Sequence, residues 1–478
     1  MGIQYDEDSK MNPHLDRFAT YRRRWYILAI FSVLCFTQGM VWNTWGPVAT
    51  SAEYYYGWTD SDVAMMANWG TIMYVVTVFF WSYLFDTVGS RIPIVSAAFC
   101  IALGTGLRII SRESAVATPL IHIAQILNGF AGPIALGGPP IISALWFPPR
   151  QRTTSTAITT IFSYLGVATA FVLGPNMVYE VKNATDTNSS VPKSNLVFYL
   201  NSTNSDEIRQ KVGDQMWDFL LIEFIISVVI FLCMLIYFPS RPKLPPSVSA
   251  SKDRMNLKDG VKSLIRNKSF WNLFICYGAS TGVYAAWGAV LNVNLQSFNV
   301  DQILAGWLGF YANIAGCVAG VTLGFFSDIF AGKMKISLIC MMIGSTVSFL
   351  WFTLVCFKYV PFSEASLYIT SILGGLFVNG AIPLYYELNM EVCYPVPEGI
   401  TSGALTMSNN AFGIFFLLLF LIPNIGSLWT NWLLLGCCAA CVPLLLFFNG
   451  RYNRLELDIP QDVTTVNGVH KDDTNNKA

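Results

Sequence analysis

Long apolar runs, separated by short polar segments, follow one another from residue 25 to residue 448. Each run holds the roughly 20 residues that a helix needs to cross a bilayer. Lipid offers the backbone no hydrogen-bond partners, so runs of this kind must be helical. The pattern predicts an all-α membrane protein with twelve transmembrane helices and with both termini on one side. The predicted spans are 25–48, 63–85, 91–110, 119–146, 154–179, 217–238, 271–296, 303–327, 334–356, 366–390, 399–423 and 429–448.

Basic residues fall in alternate loops, beginning with Arg22–Arg24 before the first span. Cytosolic loops of membrane proteins carry the excess of Lys and Arg, so these loops and both termini are predicted to be cytosolic. The chain then divides into a cytosolic N-terminal tail, a six-helix half, a cytosolic linker, a second six-helix half and a cytosolic C-terminal tail. Their predicted limits are 1–24, 25–238, 239–270, 271–449 and 450–478.

The longest loop on the opposite side, 181–216, contains three Asn-x-Ser/Thr sequons, at Asn183, Asn188 and Asn201. Such sequons are glycosylated on the non-cytosolic face of membranes, which agrees with the side that the charges assign. We therefore predict a glycoprotein. On the cytosolic side, the linker contains a basic amphipathic stretch at 254–268, which fits either a helix resting on anionic lipid or a partner-binding segment.

Composition supports the membrane assignment and excludes several other classes. The chain of 478 residues is 54% hydrophobic and 12% charged, with a mean hydropathy of +0.48, which is too apolar for an ordinary soluble protein. The net charge of zero gives no reason to expect a nucleic-acid partner. The 11 cysteines lie almost wholly inside apolar runs, which favours packing over disulfides or a metal site. No phosphate-binding loop or nucleophile motif indicates an enzyme or a cofactor.

The two halves repeat the same landmarks at a nearly constant spacing. Trp42, Trp45 and Gly46 recur 242 positions later as Tyr284, Trp287 and Gly288, and Asp86 recurs as Asp328. The junction after the fourth span, Phe147-Pro148, recurs as Tyr394-Pro395. A parallel duplication of six spans is the architecture of major facilitator transporters. The repeat therefore predicts two pseudosymmetric six-helix halves around a central cavity.

Several motifs carry a resemblance to known families. The run Asp86-x-x-Gly89-x-Arg91 after the second span resembles the major facilitator signature, which implies that Asp86, Gly89, Arg91 and the repeated Asp328 hold the cytosolic side in one conformation. More specific runs resemble solute carrier family 49, the feline leukaemia virus subgroup C receptor-related group. These runs are Trp42–Pro47, Gly104–Arg108, Leu127–Gly129 and Tyr394–Thr401.

The resemblance to family 49 implies a small-molecule substrate. One lysosomal member is described as a proton-driven exporter of pyridoxine (vitamin B6), and other members carry choline or have been linked to haem export. Trp42 and Gln125 match residues that bind choline in those relatives. Asn410 stands where they have a glutamine and Ala285 where they have a tyrosine. These differences favour a ring-shaped solute over choline.

Aromatic and amide side chains inside the spans are the candidate substrate ligands. Trp42, Trp45, Tyr284 and Trp287 come from symmetry-related spans, and together they could sandwich a flat or cationic solute at roughly 0.5–2 kcal/mol per contact. The alternative is an aromatic belt at the membrane interface. The amides Asn43, Gln125, Asn128 and Asn410 would bind a hydroxyl group or ring nitrogen, or else bridge helices.

Four ionisable residues inside spans are candidates for proton coupling or gating, because burying a charge in lipid is costly. Glu387 and Glu391 lie four apart on one face of the tenth span, while His122 and Glu223 lie in the fourth and sixth. For Glu387, proton coupling and a gating ion pair remain equal alternatives. For Glu391, a gate or a solvated surface position is favoured.

These observations predict a secondary transporter of a small organic solute, with proton-coupled export of pyridoxine as the leading hypothesis. The alternatives are a uniporter of choline or another small cation and, from a different class, a non-transporting membrane receptor or scaffold. The resemblance implies a lysosomal membrane, with the plasma membrane as the alternative. Residues 1–21 lack the Leu-Leu pair of the lysosomal relative, whereas Tyr452–Leu455 fits a tyrosine-based sorting motif.

Overall fold

The computed structural model describes residues 20–183, 197–200, 205–244, 257–298, 300–326, 334–393, 396, 398–422 and 425–450. Within these residues the chain is an all-α bundle, as predicted, and eleven helices are long and apolar enough to cross a membrane. The first half comprises α1 (Arg24–Trp42), α2 (Ala49–Tyr56), α3 (Asp60–Val88), α4 (Arg91–Arg108), α5 (Ser114–Trp146), α6 (Pro149–Met177) and α7 (Ser205–Ile236). Two short parallel strands, β1 (Glu180–Asn183) and β2 (Val197–Leu200), precede α7.

The second half begins after the linker helix α8 (Leu257–Arg266), which lies within the predicted amphipathic stretch. Its further helices are α9 (Lys268–Tyr277), α10 (Val283–Ala289), α11 (Leu291–Gln296), α12 (Gln302–Phe326), α13 (Met334–Cys356), α14 (Glu364–Cys393), α15 (Glu398–Leu418) and α16 (Trp429–Leu446). A π-helical turn, Gly278–Gly282, joins α9 to α10, and a 3₁₀ turn, Leu419–Leu421, follows α15.

The seventh predicted span, 271–296, is not one continuous helix. It runs through α9, the π turn, α10 and α11, and no single piece reaches the length of a transmembrane helix in this part of the described chain. The π turn lies where the span meets α15: a Cβ atom on Gly278 would overlap Ser408 and Phe412, and one on Gly282 would overlap the backbone of Asn409. Glycine at both positions lets the two helices touch, and π turns often accompany such functional crossings.

The first predicted span, 25–48, is also interrupted. Helix α1 ends at Trp42, and the chain turns before it resumes as α2. The second half repeats this interruption 242 residues later: Val48 has φ −110° and ψ 21°, and Val290 has φ −113° and ψ 22°. Helices α2 and α11 start immediately after these residues. The duplication seen in the sequence therefore extends to the local backbone conformation.

The starts of α3 and α12 occupy equivalent positions in the two halves, and each has a side-chain cap. The Thr59 side chain and Asp62 form a reciprocal capping box at α3. At α12, the Asp301 carboxylate accepts a hydrogen bond of 3.1 Å from the backbone N–H of Leu304. Capping of this kind satisfies backbone donors that the first turn leaves unpaired.

The halves pack against each other along two helix pairs, α3 with α15 and α6 with α12. At the second pair, Gly306 and Gly309 of α12 lie directly against Phe171 of α6. Helices α4 and α7 pack at the periphery of the first half, and α13 and α16 pack at the periphery of the second. This arrangement leaves α1, α5, the seventh span and α14 around the centre.

Peripheral helices expose apolar side chains at helical spacing. Ile225, Val229, Leu232 and Ile236 form one exposed stripe on α7. An equivalent stripe on α13 comprises Ile336, Ile343, Val347 and Leu350. Stripes of this extent are unusual on soluble proteins, and they fit helices that face lipid.

Candidate functional site

The two halves meet at the end of the molecule that carries α2 and the β1–β2 pair, which we call the outer end. Here a Cβ atom on Gly46 would overlap the carbonyl group of Ala289, so the first and seventh spans cross backbone against backbone. One turn further out, the Asn292 amide donates to the Thr50 hydroxyl at 3.2 Å. Thr50 and Asn292 are themselves 242 residues apart, so this contact joins two equivalent positions and marks the pseudo-two-fold axis.

Gln302, at the start of α12, binds three groups of the first half. Its side chain donates to the Ser51 hydroxyl and to the Val178 carbonyl, both at 3.1 Å, and its backbone N–H donates to the Glu180 carboxylate at 3.0 Å. Glu180 is buried at the N-terminus of α12, where the helix dipole favours a negative charge. We call Thr50, Ser51, Glu180, Asn292 and Gln302 the outer gate; in this structure it is closed.

Trp42 lies at the end of α1, eight residues before Thr50 of the outer gate. Its indole rests on two glycines: a Cβ atom on Gly70 would overlap the ring, and one on Gly132 would come within 3.0 Å of it. The side chain is only half buried, whereas Trp45 is 1% exposed. Glycines on α3 and α5 therefore make room for the Trp42 indole between these helices.

Across the centre, hydroxyl groups of the second half form a directed chain. Tyr277 donates to Tyr386 at 3.2 Å, and Tyr386 lies 2.8 Å from Thr406. Because the Thr406 hydroxyl donates to the Ser402 carbonyl at 3.1 Å, Tyr386 must be the donor to Thr406. Tyr74 of α3 lies against Tyr386 and Thr406, so the chain reaches the first half.

Sequence inspection missed these hydroxyl groups. Tyrosine and threonine are common in apolar runs, so no local pattern distinguishes Tyr74, Tyr277, Tyr386 and Thr406 from packing residues.

The structure does not bring the four predicted aromatic rings together. Trp45 is buried against Tyr56 and Trp58, with ring centroids 6.1 and 5.0 Å away. Trp287 stacks on Tyr284 and donates its indole N–H to Asn431 at 2.7 Å. Trp45 and Trp287 thus occupy equivalent positions inside their own halves, and Trp42 is the indole of this set that stays partly accessible.

Three of the four predicted amide ligands have intramolecular partners, while the fourth, Asn128, is buried and its Oδ1 atom has no partner within the described residues. Asn43 and Asn410 donate to the carbonyl groups of Gly39 and Thr406, one turn back on their own helices, at 3.0 and 2.8 Å. The Gln125 side chain accepts a hydrogen bond of 2.9 Å from Arg108. Asn410 and Gln125 are buried and Asn43 is half buried.

Glu223 is part of a buried ion pair. Its carboxylate accepts from Arg108 and from the Thr44 hydroxyl, each at 2.8 Å, and the Arg108 and Glu223 side chains are 1% and 0% exposed. Arg108 also donates to the Val41 carbonyl at 3.2 Å, at the end of α1. This ionic cluster ties α1 to α4, α5 and α7, immediately behind Trp42.

The other ionisable candidates lie away from that cluster. His122 accepts a hydrogen bond of 2.8 Å from the Trp69 indole, towards the outer end of α5. Glu387 and Glu391 lie towards the opposite end of α14, where Glu387 is half buried and Glu391 is buried. Glu387 immediately follows Tyr386 of the hydroxyl chain. Of these three residues, Glu387 is therefore the one adjacent in sequence to the hydroxyl chain.

The signature loop packs against the end of α7. Gly89 ends α3 with a φ of +79°, a conformation that favours glycine. The Ser90 hydroxyl donates to the Ser240 carbonyl at 2.6 Å, and Arg91 donates to the Leu235 carbonyl at 3.3 Å. Asp86 lies in the last turns of α3, and Asp328 lies outside the described residues.

Of the predicted glycosylation sites, Asn183 ends β1, and Asn188 and Asn201 lie outside the described residues. Both tails beyond residues 20 and 450 are likewise outside the description.

With this geometry defined, comparisons with known proteins give the class. A model of the Major Facilitator Superfamily matches residues 28–417. The crystal structure of FucP, a transporter of that superfamily in the outward conformation, superposes with a TM-score of 0.59 at 12% identity, covering 90% of this chain and 100% of FucP. That likeness supports the fold alone.

Sequence relatives narrow the class. The "Solute carrier family 49 member 4 homolog" of Xenopus tropicalis is 38% identical over 468 residues, which cover 96% of this chain and 99% of the relative. The "Choline/ethanolamine transporter FLVCR1" of Felis catus is 27% identical over 83% of this chain and 67% of its own length. The chain belongs to the major facilitator superfamily and, within it, to solute carrier family 49. It is a multi-pass membrane transporter of the major facilitator type, not an enzyme.

Proposed function

We propose that this transporter exports a small hydroxylated ring compound, with pyridoxine as the leading candidate, from the lysosome by proton-coupled alternating access. The observation that carries the proposal is the half-buried Trp42 indole, held on Gly70 and Gly132 beside the central space. A flat heteroaromatic ring can stack on the free indole face. The Tyr386 and Thr406 hydroxyls supply polar partners from the opposite half.

A ring fits this site better than a quaternary ammonium group. Recognition of such a cation usually relies on a cage of several aromatic faces. Trp45 and Trp287, which would complete a cage around Trp42, pack into the cores of their own halves. Choline stays the second candidate, because a family relative from Felis catus carries the name choline/ethanolamine transporter.

Alternating access requires the outer gate to open. Rocking of the two halves about the axis would break the bonds of Gln302 to Ser51, Val178 and Glu180 together. The cytosolic side would then close around the signature loop. Transporters built from parallel repeats work by such rigid-body movement about a site near the bilayer midplane.

Proton coupling is assigned to Glu387. It follows Tyr386 directly and is half buried, so a change in its charge would act on the hydroxyl chain that faces the substrate. Glu223 is a weaker candidate because Arg108 neutralises it in a closed ion pair. A buried carboxylate near the central space is costly unless it is protonated or paired, which is the basis of coupling.

The test is uptake of labelled pyridoxine and labelled choline into vesicles that contain the full chain, with the interior or exterior buffered at about pH 5 or about pH 7. We expect pyridoxine transport that depends on the pH gradient. Trp42→Ala should reduce it by about tenfold, as expected for a lost stacking contact of 1–2 kcal/mol. Trp45→Phe serves as the matched control, because Trp45 packs away from the cavity.

The outcomes separate the alternatives. Uptake of choline but not of pyridoxine would make choline the substrate and would leave the assignment as a transporter unchanged. If neither solute is transported under any gradient, the result favours the receptor or scaffold hypothesis. A pH dependence that persists in Glu387→Gln would remove Glu387 from the coupling role.

A further inference from the structure

We infer that the cytosolic end of the first half binds the phosphate of an anionic lipid headgroup, through Arg23, Arg24 and Trp146. This place is remote from the outer gate, and the inference does not depend on which solute is transported. The Trp146 side chain is 2% exposed, yet its indole N–H has no hydrogen-bond partner within the described residues. The Nε atoms of Arg23 and Arg24 are also buried and unpaired. Buried donors are normally paired, so these three need an explanation.

The three side chains form one cluster, where α1 begins and α5 ends. The Arg23 guanidinium lies over the Trp146 ring, 5.6 Å from its centroid. The Arg24 guanidinium lies 5.7 Å from the centroid of the next ring, Phe147. Trp25 packs edge-on against Phe147, with 5.3 Å between ring centroids. Two consecutive aromatic residues therefore hold the arginines side by side.

The cluster is positively charged and has no negative partner in the described part of the chain. The ion pairs found there do not include Arg23 or Arg24. Helix α6 begins two residues after Phe147 without a side-chain cap and without an acidic residue in its first turn. Such a helix start has unpaired N–H groups and a partial positive charge. The missing partner is therefore an anion, and a phosphate can accept from several donors at once.

The exposed face of α1 indicates that this anion belongs to a lipid. Trp25, Ala29 and Val33 are exposed and lie four residues apart, which places them on one face of the helix. This apolar stripe runs from the arginines towards the centre of the bilayer. Trp25 and Tyr26 are the exposed aromatic residues that favour the membrane interface. A lipid with its phosphate at the arginines would cover the stripe with its acyl chains, whereas a soluble anion would leave it bare.

The second half does not repeat this set of residues. Trp146 and Gln151 recur 247 positions later as Cys393 and Glu398. The Cys393 thiol donates to the Asn389 side chain of its own helix at 3.3 Å. Helix α15 begins with Glu398, so its first turn contains an acidic residue that α6 lacks. An acid in the first turn complements the helix dipole from within the chain. The unpaired donors and the missing acid therefore occur together, in the first half.

The test measures lipid binding by the full chain in nanodiscs. The membrane would be phosphatidylcholine with an increasing fraction of phosphatidylglycerol, and the melting temperature would be followed along this titration. A lipid that binds the folded protein raises the melting temperature, and the midpoint of the rise gives its affinity. We expect a saturable rise for the wild type. In the Arg23→Gln and Arg24→Gln double variant the affinity should fall by about tenfold or more, since each basic residue near a membrane surface contributes about fivefold.

Arg22→Gln is the matched control. Arg22 belongs to the same basic run and carries the same charge, but its side chain is exposed. A general attraction between basic residues and anionic lipid predicts equal effects for Arg22→Gln and Arg23→Gln. The proposed site predicts that Arg23→Gln weakens binding by about fivefold and that Arg22→Gln weakens it far less.

Two further variants separate binding from packing. Trp146→Phe removes the unpaired N–H and keeps a ring beneath Arg23, so it should weaken phosphatidylglycerol binding. A packing loss would lower the melting temperature in every membrane and would cancel in the difference between compositions. Gln151→Glu introduces the acid that α15 carries, and it should abolish the response to phosphatidylglycerol. Gln151→Glu and the single arginine variants also replace the double variant if that protein does not fold.

The chain's own acidic N-terminal tail is an alternative occupant, because its acidic residues precede the arginines directly. Neutralising these residues tests it; they are Asp6, Glu7, Asp8 and Asp16. If the site binds lipid, this variant should respond to phosphatidylglycerol at least as strongly as the wild type. If it instead melts lower in phosphatidylcholine alone, as the arginine double variant then also would, the tail occupies the site and the inference is wrong.

The remaining outcomes are equally decisive. Loss of the response in the arginine double variant, Trp146→Phe and Gln151→Glu, with Arg22→Gln close to the wild type, supports the site. The inference fails if Arg22→Gln and Arg23→Gln weaken binding equally. It also fails if inorganic phosphate added to phosphatidylcholine nanodiscs raises the melting temperature as much as phosphatidylglycerol does, because the ligand would then be a soluble anion.

Discussion

The first and seventh spans are interrupted at equivalent positions, but different chemistry fixes each interruption. In the first half, the Arg108–Glu223 ion pair binds Thr44 and the end of α1. In the second half the bonds are neutral: Asn431 accepts from Trp287 and from Asn294, both at 2.7 Å. Thr430 completes that cluster by donating to Asn294 at 2.9 Å. One half therefore uses a buried ion pair where the other uses amides.

The difference assigns different mechanical roles to the halves. A buried ion pair is expensive to separate, because each ion would be left without water or partner. The first half, which carries Trp42, is therefore held in one conformation at its interruption. The second half combines neutral hydrogen bonds with the π turn Gly278–Gly282, which leaves its span easier to deform. We expect the solute to rest on the fixed half while the seventh span adjusts.

Breaking the ion pair should have the largest effect. Glu223→Gln leaves the Arg108 charge buried and unpaired, which costs roughly 3–5 kcal/mol in proteins. We expect a large loss of folded protein, measured as monodisperse yield and as the melting temperature in detergent. The control is the double variant Arg108→Met and Glu223→Met, which removes both charges and should recover most of the loss. Equal stability of Glu223→Gln and wild type would show that the pair does not hold the first half together.

Breaking the amide cluster should cost less. Asn431→Leu removes the acceptor of Trp287 and Asn294 and leaves two buried donors unpaired, at about 1–3 kcal/mol. The variant should fold, with a melting temperature between those of wild type and Glu223→Gln. Trp432→Phe, at the exposed neighbouring position of α16, is the matched control. The comparison of the halves would be reversed if Asn431→Leu proved the more damaging change.

Hydropathy and the repeat were sufficient to predict the helical bundle and its two halves, because span length and apolar composition are local properties. The family was predicted from the resemblance of short motifs. The interruptions were missed because span length was judged by apolar length alone. The Gly46-Pro47 pair before Val48 and the two asparagines after Val290 were not weighed as local helix breakers. Trp42 and Trp45 would share a face only if the helix continued. It ends at Trp42, and Trp45 turns into the core.

Ion pairs between residues far apart in the sequence were the other feature that could not be predicted. Glu223 and Arg108 are 115 residues apart, and Glu223 alone looks like a candidate for proton transfer. Their mutual neutralisation is visible only once α4 and α7 are packed together.

The last prediction is a pH dependence that arises in the first half. Burial, followed by the neighbouring charge of Asp60, raises the pKa of Glu53 on α2 from 4.5 to about 8. The equivalent position of α11 is Leu295, which cannot titrate. A raised pKa means that the folded protein binds this proton more tightly than the unfolded chain does, so the stabilisation is complete below about pH 4.5 and is lost as the pH rises through about 8. The melting temperature of the wild type should therefore fall across that interval, and the melting temperature of Glu53→Gln should fall less.

Leu295→Gln is the control for adding an amide at this point of the fold, and it should leave the slope of the wild type unchanged. A slope that survives in Glu53→Gln would move the titrating group elsewhere and would weaken the contrast between the ionisable interruption of the first span and the neutral interruption of the seventh.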